Sequence, residues 1–389
     1  MRFKLVGILL LFCVESWTQK LMTESEVVNL ALTVNPAIKA SLFDIKKNQQ
    51  LEKASFNLEN PNINWESPTG EFMTFGVTQT FAFPSVYATQ KKLARANTTL
   101  SKIASEMTQN EVAYFIKLQY LNAQLSKERL DELENQKQAY ESISLSAKRQ
   151  FEIGDIDFVS MTYASSQYGE MLNEYSLAAA EANEAKEQLK LYTLIKDTFQ
   201  VSKLVKRDSD ILLFDDHANS PSINMFKQGE IVAKVDWNLE KNKSLPGFTI
   251  GYQNQGERDT PQNLRLSFGL SVPLWYWQYN ASINAAKSNM EAALESTRAE
   301  EMRVSSQWNK VKSDALKYLS SIQYYEKTGL NQSNDLISAS KRMFDAGQTN
   351  YITYMRTLTD AYNIRIKYLD AINLYNQAIL GLEFLNGKK

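Results

Sequence analysis

The heptapeptide Lys148-Arg149-Gln150-Phe151-Glu152-Ile153-Gly154 returns as Lys341-Arg342-Met343-Phe344-Asp345-Ala346-Gly347, 193 positions further on. At the same spacing Phe75-Gly76-Val77 matches Phe268-Gly269-Leu270, and Ala88 matches Ala281. Coincidental likeness between amphipathic helices explains apolar periodicity but not shared Gly and Lys-Arg positions held in one register over about 80 residues, so the chain reads as a duplication. The prolines agree. All eight lie from Pro36 to Pro84 or from Pro221 to Pro273; Pro36 pairs with Pro221 and Pro61 with Pro246 at a spacing of 185, and Pro68 with Pro261 at 193. The jump in spacing places an eight-residue insertion between Pro246 and Pro261, where a loop tolerates it.

Working outward from the two heptapeptides, the proline-free stretches before them predict uninterrupted helices over about residues 85–150 and 278–343, each roughly 100 Å long. Beyond each glycine the helical period continues. Leu358, Ala361, Tyr368, Ile372, Tyr375, Ile379 and Leu382 keep a three-four spacing, with Arg365 as the exception, which implies coiled-coil packing. Gly154 and Gly347 are then the turns where each long helix folds back, because glycine takes the left-handed conformation that closes a helix.

The proline windows change period. Residues 24–58 and 219–242 read as helix, whereas Met73, Phe75, Val77, Phe81 and Phe83 alternate with small or polar residues, as do Leu264, Leu266, Phe268, Leu270, Val272 and Leu274. Phe248, Ile250 and Tyr252 supply a partner strand for the second set. Each window is expected to hold a β-hairpin, turning at Ser67-Pro68-Thr69-Gly70 and within Gln253–Gln262. Strands of this length cross a bilayer with apolar side chains toward lipid, which puts Phe75, Val77, Phe268 and Leu270 on the lipid face. An ordinary half-buried surface hairpin has the same alternation. The duplication and the N-terminus favour the membrane.

At the N-terminus Arg2 and Lys4 precede a ten-residue apolar run, Leu5 to Val14, followed by polar residues: a secretory signal peptide over 1–18, too short for a transmembrane anchor. Cleavage near Thr18 removes Cys13, the one cysteine; lipidation at Cys13 is the alternative, disfavoured by Phe12. No later stretch reads as a transmembrane helix, so membrane insertion has to use strands.

The chain carries 43 basic and 44 acidic residues, and no basic excess points to nucleic acid. With one histidine, His217, and one cysteine, the usual zinc sites and histidine-dependent triads lack their residue types. No catalytic residue, metal site or cofactor is assigned. Glycine and proline, about 4% and 2% of the chain, argue against a turn-rich all-β protein.

A signal peptide, two repeats (19–215 and 216–389), and in each a strand pair and a long helical hairpin: this arrangement resembles the TolC family of bacterial outer-membrane efflux proteins. Leu30-Ala31-Leu32-Thr33-Val34-Asn35-Pro36 looks like that family's opening Ala-x-x-x-Asn-Pro signature. Phe151-Glu152-Ile153-Gly154 and Phe344-Asp345-Ala346-Gly347 look like its hairpin tips, and Leu270-Ser271-Val272-Pro273-Leu274-Trp275 like its second β-to-helix junction. The resemblance implies a mainly α fold with membrane β-hairpins. Three chains would form a helical barrel and a 12-stranded outer-membrane β-barrel, a passive conduit for metal cations or small toxic compounds, with protein secretion as an alternative cargo class. It also implies docking on a periplasmic adaptor and an inner-membrane pump of the RND type. Four strands cannot close a barrel and open edges are not tolerated in lipid, which asks for a homotrimer independently.

In that frame the adaptor-docking tips are Arg149, Phe151, Gly154, Arg342, Phe344 and Gly347. The family's periplasmic aperture is closed by aspartates shortly after the second tip glycine, but here Gln348 to Arg356 carries no carboxylate. Thr353 and Arg356 occupy that stretch, and Asp155 and Asp157 stand at the first tip instead, either as aperture charges or as helix N-terminal acids favouring the dipole. Two readings from other classes stand beside the channel: a periplasmic adaptor, which normally has one hairpin in a β-rich chain, and a secreted structural coiled coil.

Overall fold

The computed structural model describes residues 20–67, 70, 73–213, 219–254 and 265–388. The leader with Cys13, His217, Leu264 and parts of both hairpin turns lie outside the described residues.

Strand β1 (Lys20–Met22) leads into α1 (Glu24–Val34), opened by a capping box between Thr23 and Glu26. The single helix expected over 24–58 is in fact two. Asn35, standing before a proline, is pushed into extended backbone (φ −60°, ψ 125°), and its Oδ1 accepts the Ala37 N–H at 2.8 Å to cap α2 (Pro36–Lys53), which ends short of residue 58. Strands β2 (Asn62–Glu66) and β3 (Thr74–Phe81) follow, and then α3 (Pro84–Glu152), 69 residues without a break. Helix α4 (Phe158–Thr193) runs back along it. Strand β4 (Phe199–Val201) pairs in parallel with β1, and a strap passes through a 3₁₀ turn (Asp210–Leu213) to the second half.

The second half repeats the order: α5 (Pro221–Lys243), β5 (Gly247–Asn254), β6 (Leu266–Ser271), a long helix, and its return. The expected uninterrupted helix is divided into α6 (Tyr276–Tyr324), a wide π turn (Tyr325–Gly329) and α7 (Leu330–Asp345). Buried positions along this helix run through Val304, Trp308, Ala315, Ile322, Gly329, Ser333 and Ser340, in steps of four and seven on both sides of the π turn. A Cβ at Gly329 would sit 2.8 Å from the Tyr325 ring, so a larger residue there requires that ring to move.

Helix α8 (Tyr351–Leu385) is the most enclosed. Leu358, Ala361, Ile372, Tyr375, Ile379 and Leu382 are buried as expected; Tyr368 of the same set is only partly buried, its hydroxyl donating to Glu326 at 3.2 Å, and Arg365 reaches sideways to Glu132 at 3.2 Å and Asn334 at 2.6 Å. The strap is tied down by buried polar side chains. Asn376 donates to Val205 O at 2.8 Å and accepts from Arg207 N at 2.9 Å; Gln124 donates to Ser202 O and Lys203 O; the Tyr120 hydroxyl donates to Met22 O and accepts the Ser202 N–H. Arg207 also pairs with Glu24, linking the strap to the start of α1.

Candidate functional site

Two places carry the candidate residues: the sheet at one end of the long helices, and the helix turns at the other.

The two hairpins form one antiparallel sheet in the order β2-β3-β5-β6. Residues paired directly across an antiparallel ladder share a face. The register therefore aligns four apolar rows: Phe81, Phe248, Leu270; Gln79, Ile250, Phe268; Ile63, Val77, Tyr252, Leu266; and Trp65, Phe75, Asn254. The opposite face holds Asn62, Thr78, Gly251 and Ser267 in one row and Thr80, Thr249 and Gly269 in another, with the Thr80 and Thr249 hydroxyls 3.3 Å apart. Phe75, Val77, Phe268 and Leu270 all fall on the apolar side. On that side Phe268 is 78% exposed and Leu270 69%, while Val77, Phe81 and Phe248 are partly buried. Gln79 and Asn254 are the polar intruders; the Gln79 amide turns back to donate to Glu59 O at 2.6 Å, and Asn254 Oδ1 accepts from Arg265 at 2.8 Å. The alternation expected for Met73, Phe83, Val272 and Leu274 extends past the strands, which end at Thr74, Phe81 and Ser271.

At the opposite end the two repeated heptapeptides close their helices in the same way. Gly154 (φ 78°) and Gly347 (φ 69°) are left-handed. Gly154 N–H donates to Phe151 O at 3.0 Å and Asp155 N–H to Gln150 O at 2.8 Å; Gly347 N–H donates to Phe344 O at 3.0 Å and Gln348 N–H to Met343 O at 2.8 Å. These are matching Schellman closures, and Arg149 and Arg342 stand in the last turns, where a cation faces the negative end of the helix. The return helices are capped alike. Asp157 Oδ1 accepts Ser160 N–H at 2.6 Å, and Asn350 Oδ1 accepts Thr353 N–H at 2.9 Å. Hydrogen bonds from the Ser160 backbone, first, and from the Ser160 side chain hold the Asp157 carboxyl below the usual range. Asp157 is thus a helix cap; Asp155, Thr353 and Arg356 are exposed beside it or on the first turns of α8.

The side chains of the tips differ. Phe344 is half-buried between Tyr354, stacked at 4.6 Å, and Tyr351, edge-on at 4.6 Å. Phe151, 38% exposed, has one ring contact among the described residues, the edge of Phe158 at 5.9 Å, and Ile153, Phe158 and Val159 around it are exposed. Beneath the tips lies a tyrosine-rich core of Tyr140, Tyr351, Tyr354 and Tyr362 with Ala164, Met355 and Leu358. Burial pushes the Tyr354 hydroxyl up to about 12, with Asp345 adding to it, and raises Tyr351, where the charge of Asp155 contributes. The repeated motif predicts equivalent tips; the sequence difference that accompanies this asymmetry is Phe158-Val159 where the second half has Tyr351-Ile352.

No family model and no curated protein sequence matches the chain. Solved structures do. The outer-membrane channel CmeC of Campylobacter jejuni superimposes with a TM-score of 0.74 at 16% identity, over 94% of this chain and 86% of that one. VceC, an outer membrane protein of Vibrio cholerae, gives 0.76 at 11%, over 94% and 96%. CusC, described in connection with transmembrane channel formation, gives 0.76 at 12%, over 94% and 92%. The chain therefore has the fold of TolC-type outer-membrane channels: paired long helices with a small sheet at one end.

Proposed function

We propose that this chain is the outer-membrane exit channel of an efflux system, a homotrimer whose sheets close into a 12-stranded barrel and whose helices extend the conduit through the periplasm. The observation that carries it is the four-stranded sheet. It has one face of aliphatic and aromatic rows and one of hydroxyls, amides and glycines, and its edge strands β2 and β6 lack further partners among the described residues. In lipid an open edge is costly and a closed barrel removes it; twelve strands leave a water-filled bore. Among the described residues no helix is long and apolar enough to cross a membrane, so the sheet is the element available to do so. The shared fold with outer-membrane channels supports the same reading.

At the far end the turns at Gly154 and Gly347 are the surface for a periplasmic adaptor, and through it an inner-membrane pump, with transport through this subunit passive. An adaptor role for the chain itself is not favoured, because the two hairpins pool their strands in one amphipathic sheet. The test is the purified detergent particle and its conductance. Light scattering should give the mass of three chains, and the particle should open stable ion-conducting pores in a planar bilayer. A helical monomer that does not conduct would sink the proposal.

A further inference from the structure

Helix α5 packs between α3 and α6 and forms the floor of a groove of about 690 Å³, the size of a small-molecule site. The floor carries Met225, Gly229, Val232 and Asp236, and the α3 wall carries Leu93, Asn97, Leu100 and Ala104. Both sets step by four, three and four, so each is a single helical stripe about 16 Å long. The two helices run antiparallel, since Gln228 Nε2 donates to Ala96 O at 3.0 Å and Asn242 Nδ2 to Thr89 Oγ1 at 2.7 Å. Asp236 therefore lies toward the Leu93 end and Met225 toward the Ala104 end. Ala293 and Asn289 of α6 supply the other wall.

Two residues of this groove are not explained by the fold. Gly229 stands in the interior of α5, where glycine is unfavourable, yet a Cβ there would meet no other group within 4 Å beyond the helix backbone. What the missing side chain provides is space, in the middle of the groove beside Leu100. Asp236 is the one charged residue of the lining. It is half-buried and makes no ion pair or hydrogen bond among the described residues. The cations of α5 are engaged elsewhere: Lys227 pairs with Glu301, Lys243 with Glu240, and Lys241 lies over the Trp237 ring. Lys234, two residues before Asp236, projects from the opposite side of the helix. A carboxylate held without a partner beside apolar surface is costly, and it attracts a cation able to leave water for that surface.

We propose that this groove binds a lipophilic cation, a compact apolar body bearing a single ammonium or phosphonium charge. The body lies over Gly229 against Leu100, Met225 and Val232, and the charge faces Asp236. All three walls belong to one chain, so the inference stands whether or not the sheet crosses a membrane. The test is equilibrium dialysis of the full-length protein in a neutral maltoside detergent, against detergent alone. The probes are tetraphenylphosphonium and tetraphenylborate, an anion of the same shape. The cation should bind saturably at one site per chain, and the anion should not. Asp236→Asn, which keeps the shape, should weaken the cation about tenfold. Gly229→Phe should abolish saturable binding with helical content unchanged by circular dichroism, because the new side chain enters open space. If that variant loses helix, the isosteric Asp236→Asn decides alone. No saturable binding above the detergent blank overturns the proposal. Binding unchanged in both variants puts the cation elsewhere on the protein and also overturns it. Binding lost in Gly229→Phe but equal for the two ions and indifferent to Asp236→Asn leaves an apolar groove and overturns the recognition of charge.

Discussion

Phe344 stacks face to face on Tyr354, ring centroids 4.6 Å apart and planes within 12°, whereas Phe151, its counterpart in the first half, has no such partner beneath it. The same residue in a repeated motif thus supports the fold at one tip and presents apolar surface at the other. Phe344→Ala should cost about 2 kcal/mol, less than a fully buried phenylalanine, and lower the protein's denaturation midpoint. Phe151→Ala should leave the midpoint within about 0.5 kcal/mol while weakening cross-linking to the adaptor. Equal midpoint losses for the two would remove the distinction.

The glycines at both tips act through the backbone alone, since a Cβ at Gly154 or Gly347 would meet nothing within 4 Å. Replacing both by valine should therefore cost only the left-handed conformation, roughly 1–2 kcal/mol at each site. Trimers should still reach the outer membrane, because the turns are far from the sheet, but adaptor cross-linking and export should be lost. Normal export by the double variant would show that the tips are not the docking surface.

Register refines the expectation for charge on the apolar face. Phe268 lies in an inner row with Ile250, whereas Phe75 lies in the outermost row with Trp65. Phe268→Lys should cost about 2–4 kcal/mol and Phe75→Lys about 0–1 kcal/mol, the difference being depth in the bilayer. Ser267→Lys, on the opposite face, should be mild. Folding titrations into lipid vesicles give all three, and equal costs at 267 and 268 would mean that the sheet does not span a membrane.

Asp157 and Asn350 occupy the same cap position with different chemistry. The Asp157 carboxyl titrates below its unfolded value, so its capping contribution is complete above about pH 4 and is lost as pH falls through the lower folded value. The first tip should therefore loosen in acid before the second. Amide hydrogen exchange at Ser160 should rise relative to Thr353 as pH is lowered through that range, after correction for intrinsic rates. Asp157→Asn should remove the difference.

Much of this architecture is local and was legible in the sequence. Proline exclusion and apolar period set the long helices, glycine placed the turns, and the two-residue alternation put Phe75, Val77, Phe268 and Leu270 on one face. Each is a property of a few consecutive residues. What depended on distant segments was not legible. The pairing of β3 with β5 merges two hairpins into one sheet, and β1 finds β4 across nearly the whole first half. A ladder needs only extended backbone, so nothing in either strand names its partner. Likewise Asn376 and Gln124 read as ordinary polar positions on helices until the strap lies against them and its backbone groups need partners away from water. The matching Lys-Arg-x-Phe-x-x-Gly motifs could not announce that one phenylalanine is stacked and the other not, because its stacking partner is Tyr354, delivered by the return helix, and burial is decided by what packs opposite a residue rather than by the residue itself.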